Sequence, residues 1–199
     1  MAGQFHRGRS KNGADGEMLE TYNLAKLDIL CVDNNRNMHQ ILRTFLSAMQ
    51  IEVTRFCVDA ADAFSKMQER MPNIVITELE MDPLDGFNFI KLIRRGDDSP
   101  DIYVPILVLT AHTELNHIIR ARNAGATEIL AKPVSVDSLY GRLIWMADNP
   151  RPFIVAKGFV GPDRRRAMRG YEGLEKREND EESGTIDDER EAAPQGDPG

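Results

Sequence analysis

Between residues 24 and 148 the chain alternates two patterns of apolar spacing. Leu27 to Val32 is a short, nearly continuous apolar run that ends in Asp33-Asn34-Asn35, which reads as a buried strand followed by a turn. Met38, Ile41, Leu42, Phe45, Leu46 and Met49 then recur at the spacing of one helix face. Ile51 to Val58, rich in branched and aromatic residues, predicts a second strand, and Asp59 is placed to cap a helix that runs to about Met71. The alternation continues with strands at Ile74 to Thr77, Pro105 to Thr110 and Thr127 to Ala131. The matching helices are Phe87 to Arg95, Glu114 to Ala124 (closed by Gly125) and Val136 to Met146. Every connection between strands carries a helix. The expected fold class is therefore α/β: a doubly wound, five-stranded parallel sheet with helices on both faces. Runs such as ILVL, apolar at every position, agree with burial on both sides.

Outside this region the patterning fades. Residues 1–24 are polar and rich in Gly, Ser and Asn, and are expected to form a flexible arm. After Asn149, Pro150, Pro152, Gly158, Gly161 and Pro162 interrupt any long element. The expected organisation is an arm over 1–24, one domain over 25–148 and an extension over 149–199. Phe153, Ile154, Val155, Phe159 and Val160 favour docking of the extension's first part on the domain, since a free linker gains nothing from such side chains.

Charge sharpens the picture of the ends. Residues 21–150 carry 13 bases and 17 acids, residues 151–170 six bases and one acid, and residues 171–199 three bases and 11 acids. The last segment is an acidic block expected to be disordered. The run Arg164-Arg165-Arg166 is open to three roles: docking on an acidic partner, a strap over an acidic pocket, or a solvated linker. The mildly acidic body does not suggest nucleic-acid binding. No run approaches ~18 apolar residues, and the polar, basic N-terminus does not read as a secretory signal, so a cytoplasmic protein with no membrane partner is expected. Cys31 and Cys57 lie in apolar runs expected on adjacent strands, which favours buried free thiols over a disulfide framework. None of His6, His39, His112 and His117 forms a pair at the usual metal-ligand spacings, so no zinc site is expected.

Open parallel sheets bind ligands at the carboxyl ends of their strands. Here those ends carry Asp33-Asn34, Glu78, Thr110 and Lys132, so that two carboxylates, an amide, a hydroxyl and an ammonium would meet in one crevice. From these residues alone, Asp33 to Asn35 could serve only to shape a turn, and Glu78 with Lys132 could be a structural ion pair. No glycine-rich phosphate loop, P-loop or cysteine-phosphatase motif accompanies them, which argues against an enzyme or cofactor binder.

The segments ILCVDNN, NIVITELEMDPLDG, PILVLTAH and GATEILAKP, in this order, resemble the response-regulator receiver domain of two-component signalling, the CheY-like group of flavodoxin-type folds. The resemblance covers residues 26–148. It implies a phospho-acceptor position at Glu78, an acidic pocket at Asp33 and Asn34, phosphoryl contacts from Thr110 and Lys132, and a switch position at Ile129. It also implies a magnesium site at Asp33, Asn34, Glu78 and Glu80. This chain departs from the family pattern where the chemistry sits. Glu78 replaces an aspartate, Asn34 replaces an acid, Ile129 replaces an aromatic, and the proline of the following loop is displaced by one position, as Asp82-Pro83. Asp85, Gly86, Thr110, Lys132 and Pro133 follow the pattern.

These features together lead to the expectation of a stand-alone, non-enzymatic receiver that works by protein–protein contact, with impaired aspartyl phosphorylation and weak or lost magnesium binding. Its partner would be a histidine kinase or another signalling protein. The contact face, also available for a homodimer, would be the fourth helix, fifth strand and fifth helix, with Asn116, His117, Arg120, Ile129 and Tyr140. The alternative is a regulator that accepts phosphate from a histidine kinase at Glu78 or at a nearby Asp such as Asp82.

Overall fold

The computed structural model describes residues 6–11 and 18–163. Strands β1 (His6–Lys11) and β2 (Met18–Asn23) precede the alternating region. There follow β3 (Asp28–Val32), α1 (Arg36–Ala48), β4 (Val53–Cys57), α2 (Ala60–Glu69), β5 (Ile74–Thr77), α3 (Gly86–Arg95), β6 (Ile106–Thr110), α4 (Leu115–Ala124), β7 (Glu128–Ala131) and α5 (Val136–Asp148). A last pair, β8 (Phe153–Ala156) and β9 (Phe159–Pro162), closes the described chain.

The central sheet is parallel and runs β4-β3-β5-β6-β7, so the strand order reverses between β3 and β5. This is the flavodoxin-like order anticipated from the alternating pattern, with its crevice at the reversal. Each strand divides its side chains between two cores. Leu30, Val32, Val75, Ile106 and Val108 join Met67 of α2, Phe89, Ile90 and Ile93 of α3, and Ala121 and Ala124 of α4. Ile29, Cys31, Ile74, Ile76, Leu107 and Leu109 join Leu42 and Leu46 of α1 and Leu139, Leu143 and Met146 of α5. The period of two along each strand thus feeds both faces, which explains the continuous apolar runs.

The helix ends follow local chemistry. Asn35, Asp59, Asp85 and Ser135 each accept a backbone N–H in the first turn of α1, α2, α3 and α5, respectively. Gly125 closes α4 at φ +113°, a left-handed conformation that suits glycine. A Cβ there would also lie 2.7 Å from both Arg94 Cγ and the Val160 carbonyl oxygen.

Two terminal segments differ from expectation. Within the segment 1–24, residues 6–11 pair antiparallel with residues 18–23, from His6 opposite Asn23 to Lys11 opposite Met18. Backbone hydrogen bonding carries this ladder, and its mostly polar sequence leaves no hydrophobic period to read. The extension after Asn149, in which no regular element was anticipated, holds the β8–β9 hairpin. The hairpin packs through β9 on α3 and α4. Phe159 is buried, and the Phe153 ring meets the Tyr103 ring edge-on at 4.8 Å and the Arg94 guanidinium at 5.2 Å. The run Arg164-Arg165-Arg166 and the acidic segment 171–199 lie outside the described residues.

Candidate functional site

Backbone pairing continues past the ends of the central strands and sets the crevice. The Asp33 N–H donates to the Cys57 carbonyl, Glu78 N–H to the Val32 carbonyl and Lys132 N–H to the Thr110 carbonyl, at 3.1, 3.0 and 2.8 Å. These bonds fix where Asp33, Glu78 and Lys132 leave the sheet.

The side chains converge on one nitrogen. Lys132 Nζ donates to Glu78 Oε2 at 2.5 Å and to Asp33 Oδ2 at 3.0 Å. Glu78 Oε1 also accepts the Leu79 N–H at 2.6 Å, and Asp33 Oδ1 accepts the Asn35 N–H at 2.8 Å. Both carboxylates are buried, and the lysine side chain is 18% exposed. Burial alone would lower the Lys132 pKa, but the hydrogen bonds from Lys132 to Glu78 and Asp33 outweigh it and hold that pKa above the ordinary lysine value.

Glu78 is held by its own loop as well. Gly86 N–H donates to the Leu79 carbonyl at 2.8 Å, and a Cβ at Gly86 would lie 2.1 Å from the Glu78 carbonyl oxygen. Only a glycine permits this approach of α3 to the Glu78 backbone. Thr110 is buried, and its Oγ1 accepts the His112 N–H at 3.0 Å.

The other anticipated residues lie around this centre. Asn34 is exposed. The Glu80 carboxylate turns outward to His112 Nε2 at 2.7 Å. Ile129, half-buried on β7, packs against the core of α2, α3 and α4. Asp82 is exposed, and Asp85 caps α3. The Arg120 guanidinium lies 4.0 Å over the Phe87 ring, while Tyr140 is exposed on α5. Cys31 and Cys57 are free, buried and on paired strands. Burial is the main cause that raises both thiol pKa values, Cys57 to about 12.

Two histidines meet a carboxylate in a grouping that sequence spacing does not show. His112, Glu114 and His117 offer ligand atoms within 4.8 Å of one another. Spacing rules miss this group because His112 sits in the loop before α4 while Glu114 and His117 share its first turn. The buried Arg94 also escaped the sequence pattern. Its Nε and one terminal nitrogen donate to the Gly125 and Ile102 carbonyls at 2.9 and 2.7 Å, which ties α3 to two loops.

Comparisons with known proteins agree with this architecture. The family model described as "Response regulator receiver domain" matches residues 29–144. A probable transcriptional regulator ycf27 of Porphyridium aerugineum is 31% identical over 120 residues, which are 60% of this chain and 48% of that protein. A protein-glutamate methylesterase/protein-glutamine glutaminase of Chromobacterium violaceum is 32% identical over 110 residues, 55% of this chain and 30% of that protein. The chain therefore spans half or less of the length of these two relatives. Among solved structures, the chemotaxis response regulator CheY4 of Vibrio cholerae matches with a TM-score of 0.55 and 26% identity, over 59% of this chain and 96% of the other. A response regulator from Chloroflexus aurantiacus matches in fold with a TM-score of 0.57, over 62% of this chain and 98% of the other. The sheet order, the crevice at its reversal and the family match over residues 29–144 make this chain a member of the response regulator receiver domain family, the signalling module of two-component systems.

Proposed function

We propose that this receiver transmits its signal by binding another protein, and that ordinary aspartyl phosphorylation is impaired or absent. One observation carries the reading: at the acceptor position stands Glu78, whose carboxylate shares the Lys132 ammonium with Asp33. A glutamate sets its carboxylate about 1.5 Å further from the backbone than an aspartate. In-line transfer tolerates little displacement, and ~1 Å can cost ~100-fold in rate. The ammonium that would neutralise an incoming phosphoryl group is engaged by two carboxylates. Glu78 supplies one negative charge beside Lys132 where a phosphoryl group would supply nearly two, so it imitates the phosphorylated state in part.

The same side chains make a poor magnesium cage. Magnesium favours charged oxygens in near-octahedral array. Asp33 and Glu78 are bonded to Lys132 and to backbone N–H groups, Asn34 is neutral and exposed, and the Glu80 carboxylate points to His112. Weak magnesium binding follows, and no step of the proposed action depends on the metal.

The partner fits the face formed by α4, β7 and α5. Leu115, Ile119, Tyr140 and Trp145 are exposed apolar or aromatic side chains on its two helices, suited to contact with a kinase, another signalling protein or a second copy of the chain. Two buried, unpaired thiols agree with action in the reducing cytoplasm.

Intact-mass spectrometry after incubation with acetyl phosphate and magnesium tests the reading. The expected result is an unmodified mass for the wild type. A stoichiometric phosphoryl adduct at Glu78 or Asp82 would overturn it in favour of a phosphate-accepting regulator.

A further inference from the structure

At the outer rim of the crevice, the loop after β6 and the first turn of α4 gather an unusual donor set. His112 Nδ1 lies 3.6 Å from Glu114 Oε2, and His117 Nδ1 lies 3.5 Å from the same oxygen. The two imidazoles face each other with ring centroids 5.0 Å apart. On its far side His112 Nε2 meets the Glu80 carboxylate at 2.7 Å.

We propose that His112, Glu114 and His117 form a binding site for a divalent transition-metal ion of the zinc type, with Glu80 as the residue that orients His112.

Distances support it first. Zinc bonds of about 2.0–2.2 Å in tetrahedral array separate neighbouring ligand atoms by ~3.4 Å. Two of the three edges, at 3.5 and 3.6 Å, already match, and the third is within 4.8 Å. The third edge runs between the two imidazoles, and side-chain rotation at His112 or His117, each about one-third exposed, closes the set. One position is left open for water.

The hydrogen bonding of His117 adds to this. The buried His117 Nδ1 makes no hydrogen bond of good geometry, although Glu114 Oε2 lies 3.5 Å away. Buried polar atoms are nearly always satisfied, and a ring nitrogen beside a carboxylate and a second imidazole suits a cation.

The position of Glu80 agrees with ligation. A metal-bound imidazole commonly donates its other N–H to a carboxylate, which fixes the tautomer and strengthens the ligand. The Glu80 carboxylate stands at that place for His112, with Nδ1 on the side of the cluster. Charge also balances. A cation near the N-terminus of α4 opposes the helix dipole, but Glu80 and Glu114 contribute two negative charges against the two positive charges of the ion. Two imidazoles favour a borderline ion over magnesium or calcium, which separates this site from the carboxylate pocket at Asp33 and Glu78.

Occupancy would have a structural consequence. The first turn of α4 has no side-chain cap, since Glu114 makes no capping hydrogen bond. A bound ion would clamp this turn to the loop after β6 and, through Glu80, to the loop after β5. It would thereby stiffen one edge of the face offered to partners.

The test is titration of the full chain with cobalt(II) as an optical probe and with zinc(II) by calorimetry. The expected result is one ion per chain, with the strong visible bands of tetrahedral cobalt. His112→Ala and His117→Ala should abolish these bands, Glu80→Gln should weaken affinity ~10–100-fold while keeping them, and Glu69→Gln, at an exposed carboxylate on α2, should leave affinity unchanged. Both histidines are about one-third exposed, so the variants should keep the wild-type circular dichroism. Absence of binding by the wild type, full binding by the two histidine variants, or loss of binding in Glu69→Gln would each overturn the proposal.

Discussion

Replacing Lys132 by methionine should destabilise the domain far more than loss of a surface ion pair. In the wild type, the ammonium neutralises two buried carboxylates at once, at 2.5 and 3.0 Å. Those carboxylate oxygens lie at most about 5.5 Å apart, since both touch one nitrogen. With the lysine removed, two like charges at that separation repel by about 3 kcal/mol at an effective dielectric of ~20. The figure agrees with the ~3–5 kcal/mol typical of breaking a buried pair and exceeds the ~0–1 kcal/mol of an exposed one. For a chain of this length it corresponds to a fall of ~6–12 °C in Tm. A double-mutant cycle with Glu78→Gln gives a sharper reading. In the wild-type background, Glu78→Gln removes an attraction and should destabilise. In the Lys132→Met background it removes a repulsion and should stabilise. Thermal and urea unfolding measure all four proteins. If Lys132→Met costs less than ~1 kcal/mol, or if Glu78→Gln has the same sign in both backgrounds, then one ammonium does not serve both acids and the reasoning fails.

Three further outcomes are expected. The folded-state pKa of Lys132 is raised, so its contribution is complete below the unfolded lysine value and is lost as pH rises through the folded value; the Tm gap between wild type and Lys132→Met should therefore close in strongly alkaline buffer and stay open at neutral pH. Gly86→Ala should destabilise by ~1–3 kcal/mol in urea unfolding, because its Cβ meets the Glu78 carbonyl oxygen and the Leu79 Cα, which are backbone atoms with little room to move. A chain ending at Asn149 loses the buried Phe159 and should melt ~3–12 °C lower, which follows from ~1.5–3 kcal/mol for one buried phenylalanine.

Between residues 27 and 148 the sequence by itself determined the element order, the parallel sheet and the identity of the strand-end residues. Continuous apolar runs such as IVIT and ILVLT can only be central strands, and the helix between each pair of strands forces them parallel. Asp33, Glu78, Thr110 and Lys132 were legible because a strand end is a local feature, marked where an apolar run meets polar residues. Tertiary structure alone decided how these side chains share their partners: spacings of 45 and 54 residues do not say that Lys132 contacts Asp33 as well as Glu78. It decided that Arg94, on a helix of ordinary amphipathic pattern, is buried against the Gly125 and Ile102 carbonyls. It also formed the hairpin of residues 6–11 and 18–23, where backbone pairing replaces the hydrophobic period that sequence reasoning depends on. Finally, it brought His112 beside Glu114, His117 and Glu80. Those four side chains come from two loops and one helical turn, and only the packing of α4 beside the loop after β5 makes them neighbours. Periodicity reports which face of an element is buried; which functional groups then meet depends on the distances between elements, and no single segment encodes those.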